Sequence, residues 1–230
     1  MKKIFTGLVN YLFFCGIPRK DYNEIKAIVW ARNRRVLKIT SLLSAAFSLI
    51  LLIVDLFTET DTLAPYIMLL VGSIAIYLIV MTFGRRFKNA YFSFAVCYGQ
   101  MTLTIIYAVL LSIQASNAAM PATSVIVFIS LLPIAIDDRP IRMYGFMISE
   151  CVGYLICSYF YKEFNAFKLD CVNCITFTLI GLIIYSVVCY RNVKEIFEGQ
   201  ITESLKSHDR DFPWQSNDEK FALVLQGAWV

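Results

Sequence analysis

Charge and histidine are what this sequence is short of. Asp, Glu, Lys and Arg make up 17% of its 230 residues, against about 25% in soluble domains, which argues against a soluble globular core. The single histidine, His208, stands in the polar C-terminal part, which argues against a zinc site or histidine-based catalysis within the apolar part of the chain. Nucleotide-binding and catalytic signatures are lacking as well: there is no G-x-x-x-x-G-K-[ST], G-x-G-x-x-G, G-x-S-x-G or H-E-x-x-H pattern. No enzymatic activity, cofactor, metal or nucleic-acid partner is therefore expected. The polar segment beyond Leu205, about 25 residues, is too short for a domain with its own core.

What is abundant is apolar. Hydrophobic residues make up 58% of the chain and aromatic residues 15%. Six apolar runs approach or reach span length: Val36–Phe57, Leu63–Phe83, Tyr91–Ile113, Ala122–Ile136, Met143–Tyr161 and Cys171–Tyr190. The fourth is the shortest, and is expected either to extend back through Asn117 and Ala118 or to kink at Pro133. An all-α polytopic membrane protein with the lipid bilayer as its surroundings follows. Its expected divisions are residues 1–35 (interfacial and juxtamembrane helices), 36–190 (six-helix transmembrane domain), 191–208 (cytoplasmic signalling-type helix) and 209–230 (a short, disordered polar tail).

Lysine and arginine set the expected orientation. They cluster before the first run (Lys2, Lys3, Arg19, Lys20, Lys26, Arg32, Arg34, Arg35), between the second and third (Arg85, Arg86, Lys88), between the fourth and fifth (Arg139, Arg142) and after the sixth (Arg191, Lys194). The alternate loops hold only Lys162 and Lys168, balanced by Glu163 and Asp170. Both termini are therefore expected in the cytoplasm. Ile4 to Phe14 is too short to span and predicts an interfacial helix stopped by Gly16 and Pro18. Asp21-x-x-Glu24 predicts a capping box that starts the helix feeding the first span. Lys38 and Asp55, near the two ends of that span, are expected to snorkel to the interfaces.

Glu150 is a carboxyl well inside an apolar run, away from its ends, and such a residue is by default a site candidate. Counting along each run places Glu150, Gln100 and Ser130 at similar depth, about 9–13 Å from the cytoplasmic edge, with Tyr77 and Ser44 near the same level. Three readings fit this layer: a structural polar network, a ligand- or proton-sensing site, and a transport path. Asp137-Asp138-Arg139-Pro140 is expected to be a solvated charged turn. Of the seven cysteines, Cys171 and Cys174 alone have redox or metal spacing. The simplest reading of all seven is small apolar residues.

After the last run the chain turns charged but keeps apolar residues at helical spacing: Val193, Ile196, Phe197, Ile201 and Leu205. One helix, roughly 50 Å long from Cys171 to Leu205, is expected to leave the membrane and act as a transmitter, pairing with that of a second copy or with a cytoplasmic signalling partner. The N-terminal stretch MKKIFTGLVNYLFFCGIPRKDYNEIKAIVWARNRRVLKI, the short-looped runs and the charged exit helix resemble the multi-pass membrane sensor region that precedes GGDEF (diguanylate cyclase) domains in anaerobic Gram-positive bacteria. The resemblance covers about Met1 to Leu205. It implies a bacterial inner-membrane sensor for cyclic-di-GMP signalling, with both termini in the cytoplasm. Neither the D-x-L-T-G-L-x-N-R-like start nor the G-G-D-E-F loop of the cyclase domain is in the sequence, so no catalytic residue carries over and the chain is expected to be a sensor without its output. Two other classes remain open: a small-molecule transporter or its substrate-binding membrane subunit, and the membrane half of a histidine kinase with His208 as phosphoacceptor.

Overall fold

The computed structural model describes residues 2–58, 63–83, 90–114 and 119–211. Among these every regular element is helical. The helices are α1 (Lys2–Phe14), α2 (Arg19–Thr58), α3 (Leu63–Phe83), α4 (Ala90–Ile113), α5 (Thr123–Leu131), α6 (Pro140–Tyr161) and α7 (Phe164–Asp211). Residues 59–62, 84–89, 115–118 and 212–230 lie outside the described residues. With them go Arg85, Arg86, Lys88, Asn117, Ala118 and most of the expected tail.

Among the described residues, five helices are long and apolar enough to cross a membrane. The fourth expected span is not among them. Its helix starts at Thr123, with Pro121 and Ala122 outside it, so it does not extend back toward Ala118. It is nine residues long, then tightens into a 3-10 turn over Leu132–Ala135 that contains Pro133. Proline removes an N–H and crowds the preceding turn, which favours this change.

Two further expectations are corrected. The segment Lys162–Asp170 is not a loop: α7 begins at Phe164, so only Lys162 and Glu163 separate α6 from α7. And α2 starts at Arg19, directly after Pro18, with the Tyr22 N–H bonded to the Pro18 carbonyl at 3.0 Å. Asp21 lies inside the first turn rather than ahead of it. There its carboxylate still suits the helix N-terminus.

Burial follows the helical period. In α2, Tyr22, Ile25, Val29, Asn33, Leu37 and Ser41 are buried at three- and four-residue spacing. One stripe therefore continues from the charged entry segment into the apolar run. Asp55, on the same helix, is buried at 3% rather than snorkelled. The inside–outside pattern is reversed from that of a water-soluble bundle. Ser48, Ser73, Gln100 and Ser130 face inward, whereas Leu43, Ile50, Val71, Leu78, Ile183 and Val187 face out. So large a continuous apolar exterior marks a surface made for an apolar medium.

Two hydrophobic clusters fill the bundle. One gathers Cys15, Tyr22, Ile25, Met143, Tyr185 and Val193. The other gathers Leu69, Ile105, Val125, Cys151, Tyr154 and Cys174. Each is continued by a buried polar knot, one at each end of α6.

Candidate functional site

The first knot is built on Asp137 and Asp138, between the 3-10 turn and α6. Both are buried, at 2% and 1% exposure, so the expectation of a solvated turn is overturned. Burial is tolerated because every carboxylate oxygen receives a donor. Asp137 Oδ1 accepts from Asn192 Nδ2 at 2.9 Å, and its Oδ2 lies 3.3 Å from Arg32 Nε. Asp138 Oδ1 accepts from the Arg139 N–H at 2.6 Å and from the Arg142 guanidinium. Its Oδ2 accepts from Tyr98 Oη at 2.8 Å.

The backbone of the pair is held as tightly. Asn33 donates Nδ2 to the Asp137 carbonyl at 2.7 Å and accepts the Asp137 N–H at 3.0 Å. Tyr185 Oη accepts the Asp138 N–H at 3.1 Å and donates to the Asp138 carbonyl at 2.8 Å. Cys189 donates to the same carbonyl at 3.2 Å. Five elements thus meet on two residues. α2 supplies Arg32 and Asn33, α4 supplies Tyr98, α6 supplies Arg142, and α7 supplies Tyr185, Cys189 and Asn192. The chain just after α1 supplies Cys15, whose sulfur lies 3.6 Å from that of Cys189.

Local backbone conformation delivers Cys15. Cys15 (φ 54°) and Gly16 (φ 78°) are both left-handed, which ends α1 and turns the thiol inward. For Gly16 the conformation is ordinary and for Cys15 it is uncommon. A Cβ at Gly16 would also come within 3.2 Å of the Tyr190 ring. Arg139 stacks over Phe14 and Tyr22, and Arg142 over Phe94, at 5.5, 5.8 and 4.1 Å from the ring centroids.

Burial raises the pKa of both aspartates. For Asp137 the rise is opposed by Asn192 and Arg32, and for Asp138 mainly by Arg142. Among the described residues no group of three or more His, Cys, Asp or Glu forms a metal-ligand cluster. What the arrangement does is fix relative positions: α2, α4, α6 and α7 cannot shift here without breaking charge-assisted hydrogen bonds in a buried setting.

The second knot lies at the far end of α6, about 33 Å away along the helix. Lys162 Nζ is 2.9 Å from Asp170 Oδ2, and both side chains are fully buried. Lys162 also donates to the Met120 carbonyl at 2.7 Å. Asp170 accepts from the Ala122 N–H at 2.9 Å, from Ser158 Oγ at 3.1 Å and from Tyr154 Oη. The pair joins the α6–α7 turn to the chain entering α5.

The expected polar layer is not one site. Glu150, half-buried, accepts from Thr102 Oγ1 at 3.0 Å, on the α4–α6 seam. Gln100 is bonded to Ser73 Oγ at 3.3 Å, on the α3–α4 seam. Residues 100 and 102 point about 200° apart around α4, so the two seams are on opposite sides of that helix. Ser130 donates to the Ile126 carbonyl at 2.8 Å and lies 3.1 Å from the Phe177 carbonyl of α7. Similar depth did not mean proximity.

The exit helix is continuous: α7 covers Cys171 to Leu205 without a break. Val193 is buried at 1%, with Ile196 and Phe197 packed against the same core. Ile201 is exposed, and Leu205 lies on the helix beyond the last described side chain. Cys171 and Cys174 do not meet. Instead Cys174 faces Cys151 of α6, with the sulfurs 3.1 Å apart. Comparison with protein-family models, curated proteins and solved structures finds no match.

The residues that hold both knots were missed in the sequence, although two carried a signal. Asn33 sits on the stripe that runs from Val29 to Leu37, and Asn192 sits one position before Val193. A polar side chain that interrupts a buried stripe must find a partner there.

Proposed function

We propose that this chain is a bacterial inner-membrane sensory or signalling module of six spans with both ends in the cytoplasm. It takes up a cue within the bilayer and passes it along α7 to a cytoplasmic output of the cyclic-di-GMP type. The observation that carries this reading is α7. It is a single helix of 48 residues, roughly 70 Å long against a hydrocarbon thickness of about 30 Å. Its middle is gripped by the aspartate knot through Tyr185, Cys189 and Asn192. A shift among α2, α4 and α6 therefore reaches the segment that leaves the bundle.

The two polar knots support the spanning arrangement. They lie about 33 Å apart along α6, which matches the two faces of a bilayer. α5 starts at the Lys162–Asp170 knot, through Ala122, and leads to the aspartate knot through Ile136. That supports counting it as a crossing despite its length. The arginines cluster at the aspartate end, which supports placing that end in the cytoplasm.

The partner would be a second copy or a cytoplasmic signalling protein. Because Val193, Ile196 and Phe197 already pack within the chain, the free seam begins at Ile201 and continues toward Leu205. A cross-linking scan from Lys194 to Leu205 in membranes tests this. Copy-to-copy products with helical period at Ile201 and Leu205 are expected, and an absence of dimer contacts along the scan contradicts pairing through this helix.

A transport reading rests on Glu150, a carboxyl on a spanning seam. Uptake into vesicles that is lost in Glu150→Gln would favour it over the sensory reading.

A further inference from the structure

We propose that Cys151 and Cys174 form a reversible dithiol–disulfide pair in the middle of the bundle, oxidised by a lipid-soluble acceptor of the quinone class, which locks α7 to α6. This deepens the sensory reading by giving it a stimulus, and it depends on that reading only for what the lock does to α7.

Three observations converge on the pair. The sulfurs are 3.1 Å apart, about 1 Å from the ~2.05 Å bond length of a disulfide. The two thiols also match in depth: each stands ten residues from the end of its helix at the α6–α7 turn, about 15 Å, which is half of a ~30 Å hydrocarbon layer. Finally, the seam around them is filled by side chains. Two turns further along α7, a Cβ on Gly181 would come 2.8 Å from Met147 Cε and 3.1 Å from Ser130 Cα. Met147 is one turn from Cys151 on α6, so its side chain fills the α6–α7 seam next to the pair, while the backbone approach that Gly181 permits is to Ser130 of α5. The other thiol contact differs. Cys15 and Cys189 both point at the Asp138 carbonyl and belong to the aspartate knot.

Depth determines the oxidant. Water-soluble thiols and disulfides act at the aqueous faces, whereas a quinone dissolves in the layer where this pair sits. The seam lies one side chain in from Val152 and Ile175, which are half exposed on the outer surface. In the net step two S–H bonds break and one S–S bond forms. Two electrons and two protons pass to the two quinone oxygens, giving a hydroquinone. Return to the two thiols takes a reductant of the dithiol class, which gives up two electrons and two protons and is itself oxidised to a disulfide. The bond closes a loop of the residues between 151 and 174, so α7 can no longer slide or turn against α6 at this level.

The test uses the full chain in liposomes. It is treated with decylubiquinone, whose fully substituted ring cannot alkylate thiols. Free thiols are then capped under denaturing conditions and the cysteines are mapped by mass spectrometry. The expected result is a loss of two of the seven free thiols, recovered as a Cys151–Cys174 linked peptide that dithiothreitol removes. Cys171→Ser should retain the linkage, and Cys151→Ser should abolish it. Should Cys151→Ser fail to fold, the map of the unsubstituted chain decides alone. Seven free thiols after treatment, or a Cys171–Cys174 linkage, would overturn the proposal. Neither outcome bears on pairing of the exit helix, which the scan from Lys194 to Leu205 tests separately.

Discussion

Asn33 and Asp137 hold each other in both directions: the Asn33 amide donates to the Asp137 carbonyl at 2.7 Å, and the Asp137 N–H returns a bond to Asn33 Oδ1 at 3.0 Å. An entry helix is thereby tied to a loop 104 residues away. Asn33→Ala leaves a buried N–H and a buried carbonyl without partners, which costs about 1–3 kcal/mol for each group before relaxation. The expected loss of stability is about 2 kcal/mol, read as a lower thermal unfolding midpoint of the purified chain in detergent. An unchanged midpoint would mean that the clamp contributes nothing.

Asp138 is the more costly residue to remove. Its carboxylate takes a tyrosine hydroxyl, a backbone N–H and the Arg142 guanidinium. Breaking a buried pair typically costs 3–5 kcal/mol. Arg142 is 36% exposed, so water can compensate it in part and the lower end applies. Asp138→Ala should cost about 3 kcal/mol, and Tyr98→Phe, which removes one donor, about 1 kcal/mol. Chemical denaturation of both variants in the same detergent gives the comparison.

The pH dependence has a definite sign. Burial raises both aspartates above the ordinary value of 3.8, against the opposing pull of Arg32, Asn192 and Arg142. Between 3.8 and the raised values the folded chain binds more protons than the unfolded one. Their contribution to stability is thus fully present below 3.8 and declines as pH rises through the raised values. Relative to an Asp137→Asn/Asp138→Asn double variant, the unsubstituted chain should gain stability as pH falls from neutral toward 4. Unfolding midpoints across that range, taken as a difference between the two proteins, check it. A difference that shrinks on acidification would reverse the sign.

At the other knot, Lys162 and Asp170 are each fully buried. Lys162→Met should cost about 3–5 kcal/mol by stranding a carboxylate. The double variant Lys162→Met/Asp170→Leu should recover much of that loss, since the groups it leaves, the Tyr154 and Ser158 hydroxyls, the Ala122 N–H and the Met120 carbonyl, are neutral and cheaper to leave than a charge. A double-mutant cycle reads the coupling, and additive losses would show that the two charges act independently.

Gly181 reports on the α5–α7 contact. An alanine there meets the Ser130 backbone at 3.1–3.2 Å, so a helix must shift rather than a side chain. Gly181→Ala should destabilise by about 1–3 kcal/mol, whereas Gly153→Ala, whose Cβ meets nothing within 4 Å, should be neutral.

The apolar runs made much of this fold legible. α3 has the bounds expected of it, α4 begins one residue early, and α7 continues through the charged exit segment as its spacing predicted. Apolar length was a weak guide where proline intervened, as at Pro133, and where charges were buried rather than exposed, as from Lys162 to Asp170. The knots were not legible because their partners lie far apart along the chain: Asn33 with Asp137, Tyr98 with Asp138, Asp137 with Asn192. A helical period tells which face of a helix is buried but not which helix it meets. That is also why Glu150, Gln100 and Ser130, level in depth, fell on three different seams.

In the proposed function, the aspartate knot couples the bundle to the exit helix. Hydrogen–deuterium exchange of the full chain in lipid nanodiscs, with and without Asn33→Ala, tests it most directly. Loosening the knot should speed exchange of the amides from Asn192 to Thr202 by about tenfold, the equivalent of ~1.4 kcal/mol of local stability, while Thr123–Leu131 keeps its protection. Unchanged exchange from Asn192 to Thr202 in a variant whose α2 entry segment does open would contradict the coupling.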